Sequence, residues 1–192
     1  MTIAPMSSMN ILSNDAVMRE LINVHDTPRI GKTPIFTSLV RAVISQQLSE
    51  AAASTIFKRL KGLADIIPTV LIELDIEAYR SCGFSNAKAS YVKSISQATL
   101  DGYLDNIDHL PDDEVIKTLT KLKGVGRWTA EMILIFALGR EDIWPCDDAG
   151  LIRSAKSLYG IQHLDEFMSI GDRFKPFRSH AAWYLWCHLD TR

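Results

Sequence analysis

Apolar residues recur at helical spacing along the chain, and no stretch of the 192 residues alternates apolar and polar side chains as a half-buried strand would. Several of these runs follow a good capping residue, as with Ser49, Asp75 and Ser85. We therefore predict an all-α protein of about ten short helices, with residues 1–13 as a loose lead-in. Because no internal repeat or low-complexity linker interrupts the pattern, we expect one domain over residues 1–192.

Composition narrows the class of protein. A hydrophobic content of 47% lets a chain of this length bury a sizeable core. The net charge of −2 gives no overall signature of nucleic-acid binding, so positive charge for such a role would have to be local. The cysteines are far apart and form no Cys-x-x-Cys or Cys/His cluster, which predicts reduced thiols, an intracellular protein and no metal site. The sequence contains neither a signal peptide nor a run of about 18 apolar residues, so we expect a protein inside the cell that does not span a membrane.

The most informative stretch is the glycine turn in residues 121–131. Gly124 and Gly126 bracket one apolar residue, which suits a tight turn with no side chain in front of its amides. An apolar segment at helical spacing follows, so the turn lies at a helix N-terminus, where unpaired amides and the helix dipole favour an anion such as phosphate. Three basic residues surround this position: Lys121, Lys123 and Arg127.

A second feature is Asp148, in residues 145–151, twenty positions after Trp128. By themselves, a Gly-x-Gly is most often a turn between packed helices and an Asp before a helix is most often an N-cap. Their combination, Gly124-Val-Gly-Arg-Trp-Thr-Ala-Glu131 with Pro145-Cys-Asp-Asp148 downstream, resembles the helix-hairpin-helix DNA glycosylases. Within them it is most similar to the 3-methyladenine DNA glycosylase II family.

The resemblance covers roughly residues 30 to 188, with further matches in the expected order. Phe36–Ala53, which contains Ser-Gln-Gln-Leu-Ser, resembles the helix-loop-helix that fills the gap left by an extruded base. Gly83-Phe-Ser-Asn-Ala-Lys88 is similar to a Gly-x-x-x-x-Lys segment, and Phe174–Trp186 resembles the closing Pro-x-Arg-Ser helix. The family fold is a two-lobed helical bundle with the active site in the cleft between lobes.

The resemblance implies a DNA repair enzyme of the base excision type that flips alkylated purines out of double-stranded DNA and hydrolyses the N-glycosidic bond. Asp148 matches the family's catalytic aspartate, which stabilises the oxocarbenium-like sugar or activates water. Relatives that also cut the strand carry a lysine at the position of Trp128 as nucleophile. Because indole cannot attack the sugar, we expect a monofunctional enzyme whose product is an abasic site.

The predicted substrate pocket consists of Trp128, Trp186 and Met132, because a methylated, electron-poor purine stacks well on aromatic faces. Each of these side chains could equally be an ordinary core residue. Some family members have aromatic residues where this chain has Met132 and Cys187, so its pocket would be less aromatic than theirs. The sequence does not determine whether 3-methyladenine, 7-methylguanine, hypoxanthine or an etheno adduct is the preferred base.

Contacts with the DNA backbone are expected from Gly124, Gly126, Lys121, Lys123 and Arg127. Gln47 is the expected plug residue for the base gap, with Leu48 as the alternate. No cofactor is expected, although family hairpins often hold a monovalent cation through backbone carbonyls. We expect a monomer, in the cytoplasm if bacterial and in the nucleus if eukaryotic.

Two alternatives remain. The same turn could belong to a non-catalytic helix-hairpin-helix module that binds DNA or a protein. A glycosylase for oxidised or mismatched bases is disfavoured by Trp128 in place of lysine and by the lack of a four-cysteine cluster.

Overall fold

The computed structural model describes residues 6–31 and 33–190, and within them every regular element is helical. The α-helices are α1 (Met6–Leu12), α2 (Ala16–Val24), α3 (Ile35–Ser45), α4 (Glu50–Leu63), α5 (Pro68–Leu71), α6 (Ile76–Cys82), α7 (Asn86–Leu100), α8 (Asp112–Leu119), α9 (Arg127–Phe136), α10 (Ala149–Tyr159), α11 (Leu164–Arg173) and α12 (Arg178–Asp190). A 3-10 turn lies at Ile107–His109. The all-α prediction is confirmed, with twelve helices in the described residues where about ten were expected.

Capping residues set the beginnings of several helices as the sequence predicts. The side chains of Ser49, Asp75 and Ser85 accept hydrogen bonds from backbone amides in the first turns of α4, α6 and α7. Each of these bonds satisfies an amide that has no carbonyl partner within its helix. At the other end of α6, Gly83 adopts the left-handed conformation, with φ of 105°.

The predicted loose lead-in is wrong for its described part, because residues 6–12 form α1. Local sequence gives this helix little support, since it contains serine and asparagine, which are weak helix formers. Its stability comes from packing: Leu12 is 1% exposed within a hydrophobic cluster, and Met9 packs against the same cluster. The first five residues of the lead-in lie outside the described residues.

The described residues group into two compact units, and the division falls within α9. The first unit consists of the described residues up to 31 together with those from Leu134 on. In it, α12 packs against α10, α2 and α11. The buried Ser154 hydroxyl in α10 donates to the Leu185 carbonyl in α12 at 2.7 Å, which fixes these two helices to each other.

The second unit spans Thr33–Ile133 and is organised around α7, which packs against α3, α5 and α6. Apolar residues of α3, including Val40 and Val43, are fully buried, as are Val92 and Ile95 on α7. Complete burial of one such side chain contributes about 1.5–3 kcal/mol. The prediction of one domain over residues 1–192 stays a prediction. In the described part of the chain, no helix is both long and apolar enough to cross a membrane.

Candidate functional site

The hairpin lies in the second unit, where α8 is followed by the glycine turn and α9. Leu122 and Val125 are 8% and 5% exposed, so the turn is anchored through its apolar side chains. Lys121 and Lys123, which flank Leu122, are exposed. The buried apolar side chains therefore hold the turn against the second unit, while the exposed lysines leave positive charge accessible to an anion.

Gly124 is required by two separate features of the turn. Its φ of 82° lies in the left-handed region, which disfavours any residue with a Cβ. A Cβ at this position would also overlap the ring of Tyr91 on α7, at 2.7 Å from Cγ. The carbonyl of Gly124 accepts a hydrogen bond of 2.6 Å from the Gln46 side-chain amide. The first hairpin glycine is thus a packing position as well as a turn position.

Gly126 differs from Gly124 because nothing lies within 4 Å of the position where its Cβ would be. Its carbonyl accepts from the Ala130 amide at 3.0 Å, so Gly126 directly precedes the first turn of α9. Amides of a first turn have no carbonyl partner within their own helix. Open space beside such amides, at the positive end of a ten-residue helix, suits the approach of a phosphate.

Arg127, predicted to contact DNA, also has an intramolecular partner. Its Nε donates to Oε1 of Glu131 at 3.0 Å, one helical turn further along α9. The Glu131 side chain is 4% exposed whereas that of Arg127 is 60% exposed. Because a buried carboxylate needs a cationic partner, Arg127 has a structural role in addition to any contact with phosphate.

Trp128 and Met132 lie four residues apart on α9, hence on the same side of that helix. Trp128 is 43% exposed, which rules out the alternative that it is an ordinary core residue. Met132 is half-buried. An indole with this much exposed surface is available for stacking by an aromatic ligand.

The predicted plug residues follow the C-cap residue of α3, Gln46, and both Gln47 and Leu48 are exposed. Gln47 has a φ of 59°, in the left-handed region, which costs a residue with a side chain about 1–2 kcal/mol. The Leu48 amide donates to the Ser45 carbonyl at 3.1 Å and closes the turn. The loop therefore presents two side chains to solvent from a tight, strained backbone.

Asp148 lies in the first unit as the N-cap of α10, with 8% of its surface exposed. Its Oδ1 accepts from the Leu151 amide, so the N-cap interpretation is confirmed. The same oxygen accepts a hydrogen bond of 3.2 Å from Nε1 of Trp186. The neighbouring Asp147 is exposed. Two donors and the positive end of a helix dipole thus stabilise negative charge on a buried carboxylate.

Trp186 is half-buried on α12, and its ring lies 5.9 Å from that of Phe136, centroid to centroid, at an angle of 41°. The sequence prediction placed Trp186 at the site but missed both its hydrogen bond to Asp148 and the neighbouring Phe136. A signal for Phe136 was available, because it follows Met132 by one helical turn in the same apolar segment.

The start of α12 holds the segment that leads to Asp148. Arg178 donates from Nε to Oδ1 of Asp142 at 2.7 Å and from Nη2 to Oδ2 at 3.1 Å. The hydroxyl of Ser179 donates to the Arg140 carbonyl at 2.7 Å and accepts from the Ile143 amide at 2.9 Å. The Arg-Ser pair of the closing helix is therefore a clamp on residues 140–143.

No group of three or more His, Cys, Asp or Glu side chains in the described residues could hold a metal ion. The carbonyl of Gly124, at the hairpin, is already an acceptor for Gln46. A monovalent cation at the hairpin, which would need backbone carbonyls as ligands, stays a prediction.

Comparison with known proteins agrees with this geometry. Residues 40–175 match the model of the HhH-GPD superfamily of base excision DNA repair proteins, and the chain belongs to this family. It is 38% identical to DNA-3-methyladenine glycosylase 1 of Schizosaccharomyces pombe over 174 residues, and the aligned region covers 85% of this chain and 76% of that protein. The alkylbase DNA glycosidase-like protein mag2 of the same organism is 36% identical, with 83% and 80% covered.

Among solved structures, the 3-methyladenine DNA glycosylase Mag1 of S. pombe in complex with abasic DNA superposes with a TM-score of 0.84 at 34% identity. The match covers 94% of this chain and 95% of that one. The predicted family and the predicted helix-hairpin-helix fold are thereby confirmed.

Proposed function

We propose that this protein is a monofunctional DNA glycosylase of base excision repair, which releases alkylated purines from double-stranded DNA. The observation that carries the proposal is its 38% identity, over most of both chains, to a relative named DNA-3-methyladenine glycosylase 1. The DNA in the complex of the similar Mag1 structure is abasic, which is the product that such a hydrolysis leaves.

The chemistry is assigned to Asp148. Base release requires the nucleotide to leave the duplex, at a cost of a few kcal/mol, and then passes through a sugar that carries positive charge. A carboxylate next to that sugar stabilises the charge or takes a proton from the attacking water. Asp148 is suited to this role because its Oδ1 is fixed by the Leu151 amide and the Trp186 indole. A fixed carboxylate needs no reorganisation when the charge develops.

Trp128 supports the monofunctional mechanism. An amine at this position could form a Schiff base with the sugar and lead to strand cleavage, whereas indole has no nucleophilic nitrogen for that step. Water is then the nucleophile, and the free base and an abasic site are the products. The large exposed surface of Trp128 suits contact with an electron-poor, methylated base. Met132 stays a predicted pocket residue, and Trp186 is proposed chiefly to orient Asp148.

The hairpin is proposed to bind the DNA backbone. Amides at Gly124 and Gly126 would face a phosphate, and the exposed Lys121 and Lys123 would add positive charge. Such contacts position the duplex without reading sequence, and they make binding weaken as salt rises. An enzyme of this kind acts where a cell keeps its DNA, in a bacterial cytoplasm or a eukaryotic nucleus.

The test is to incubate the protein with N-methylated duplex DNA, identify the released bases, and compare Asp148→Asn. We expect the variant to lose at least about 100-fold in single-turnover base release, about 3 kcal/mol of transition-state stabilisation. Asparagine also caps helices well, so the thermal midpoint should change little. Affinity for duplex DNA should remain.

The matched control is Asp147→Asn, which removes the same charge from the exposed neighbour and should leave base release within about twofold of the wild type, since an isolated surface charge is mostly solvated. Borohydride should trap no covalent DNA adduct with the wild type. Binding of duplex DNA without release of any base would instead favour the non-catalytic module.

A further inference from the structure

The loop that follows α3 has a backbone conformation that needs support. Gln47 and Asn106 are the two residues other than glycine with a positive φ in the described part of the chain. A residue with a side chain rarely adopts this conformation unless its surroundings hold it there. Because Gln47 is exposed, its own side chain does not supply that support within the core. The interactions that fix the turn must come from the residues around it.

Lys88 on α7 supplies two of these interactions. Its Nζ donates to the carbonyl of Ile44 and to that of Gln46, at 2.7 Å in each case. Carbonyls at the end of a helix have no amide partner within it, and the helix dipole makes that end negative. The ammonium group therefore caps α3 and at the same time grips the residue that precedes Gln47. Partial burial lowers the pKa of Lys88 below its ordinary value.

A second connection runs from the same loop to the hairpin. The Gln46 side chain donates to the Gly124 carbonyl, and the ring of Tyr91 lies against Gly124. Lys88 and Tyr91 are three residues apart on α7, and side chains at this spacing project from the same side of a helix. One side of α7 thus supports both the loop and the first hairpin glycine.

We propose that Lys88 is a positioning residue for base eversion, which holds the turn of Gln46–Leu48 in the conformation that presents Gln47 to DNA and keeps this turn at a fixed distance from the hairpin. This inference rests on the proposed glycosylase function. Lys88 acts through its two carbonyl partners and contacts neither phosphate nor base. Its cationic head is already used inside the protein, and its side chain is half-buried, whereas Lys121 and Lys123 are exposed.

The first measurement is amide hydrogen exchange by NMR in the free protein, because it does not depend on DNA. The reporter is the Leu48 amide, which is bonded to the Ser45 carbonyl. Lys88→Met retains most of the aliphatic stem but removes every donor. We expect exchange at Leu48 to become at least tenfold faster while amides in the core of α7 keep their protection. Unchanged exchange at Leu48 would overturn the inference.

The second measurement is base release from methylated duplex DNA as a function of substrate and salt concentration. We expect kcat of Lys88→Met to fall about tenfold with KM nearly unchanged, because the turn acts when the base leaves the DNA duplex. The slope of log affinity against log salt should be that of the wild type. A slope reduced by about 0.9 would mean that Lys88 binds a phosphate, and would overturn the positioning role.

Lys61→Met is the control, since Lys61 is an exposed lysine on α4, and it should change neither measurement. Gln46→Met is a second variant in case Lys88→Met fails to fold. It removes the link to Gly124 and should also lower kcat, whereas full activity would count against the inference. Absence of base release by the wild type would refute the proposed function, and the exchange result would still decide whether Lys88 fixes the turn.

Discussion

The hairpin segment, residues 121–131, depends on its backbone, whereas the aspartate segment, residues 140–151, depends on its side chains. In the hairpin segment the important positions lack side chains: Gly124 leaves room for the Tyr91 ring, and Gly126 leaves open space beside the first amides of α9. In the aspartate segment the important positions are side chains held by other side chains, as Asp148 is by Trp186 and Asp142 by Arg178.

This difference predicts different responses to substitution. A segment that acts through its backbone is damaged by the addition of atoms, because any new Cβ blocks either packing or the approach of a ligand. A segment that acts through side chains is damaged by their removal, because the partner group then remains buried and unsatisfied. The two segments should therefore separate DNA affinity from the rate of base release.

The largest effect on stability is expected from adding one methyl group to the hairpin. Gly124→Ala combines a left-handed φ with an overlap with the Tyr91 ring, and we expect it to lower the free energy of unfolding by about 2–4 kcal/mol. Gly126→Ala meets no atom within 4 Å and should lower it by less than about 1 kcal/mol. Its affinity for duplex DNA should nevertheless fall about tenfold, because the methyl group enters the phosphate approach. Urea unfolding and fluorescence anisotropy measure the two quantities.

The double variant Gly124→Ala with Tyr91→Ala isolates the steric part of this effect. Removal of the ring should make the pair less destabilised than the sum of the single variants by at least about 1 kcal/mol. Strict additivity would show that the left-handed backbone alone explains why glycine is needed, and would weaken the assignment of Gly124 to packing.

An intermediate effect is expected from the clamp on the aspartate segment. Arg178→Ala removes a two-pronged ion pair with Asp142, which is worth about 2 kcal/mol for hydrogen bonds between charged groups. Because residues 140–143 lead to Asp148, base release should fall severalfold while affinity for DNA stays the same. Arg178→Lys keeps the charge without the planar fork and should recover only part of the loss.

Lys175→Ala provides the control for this clamp. Its ion pair with Asp172 is equally short, at 2.7 Å, but both side chains are more than half exposed. Such a surface pair contributes less than about 1 kcal/mol. If Arg178→Ala and Lys175→Ala lose equal stability and activity, the Asp142 ion pair is also an ordinary surface contact. The contrast between the two segments would then rest on Asp148 alone.

Sequence patterns predicted what depends on near neighbours along the chain. The caps at Ser49, Asp75 and Ser85 are visible because a cap and its amide are three residues apart. Gly124 and Gly126 are visible because a turn needs glycine locally. By contrast, α1 was missed because its stability comes from packing of Leu12, which no local propensity reports.

The contacts that fix the candidate site are long-range, and sequence alone could not predict them. Lys88 lies 42 residues from Gln46, and Gln46 lies 78 residues from Gly124. Asp148 and Trp186 are separated by 38 residues. The resemblance to a family placed Asp148 and Trp186 at one site, but the hydrogen bond between them depends on how α10 and α12 pack.

The smallest effect, and the most specific, is expected from Trp186→Phe. Phenylalanine keeps an aromatic ring near Phe136 but removes the indole N–H that donates to Oδ1 of Asp148 at 3.2 Å. One hydrogen bond to a carboxylate that must carry charge should cost about 1 kcal/mol, which corresponds to about fivefold slower release of methylated bases. Affinity for undamaged duplex should not change.

Trp183→Phe tests the specificity of this loss, because Trp183 is also half-buried on α12 but packs edge-on against Tyr184. That variant should release bases at the wild-type rate. If both tryptophan variants slow base release equally, the effect comes from general packing of α12, and the orientation of Asp148 by the Trp186 indole would be the wrong explanation. If Trp186→Phe alone slows it, the Trp186 indole N–H orients Asp148, and the aspartate segment acts through side chains where the hairpin segment acts through its backbone.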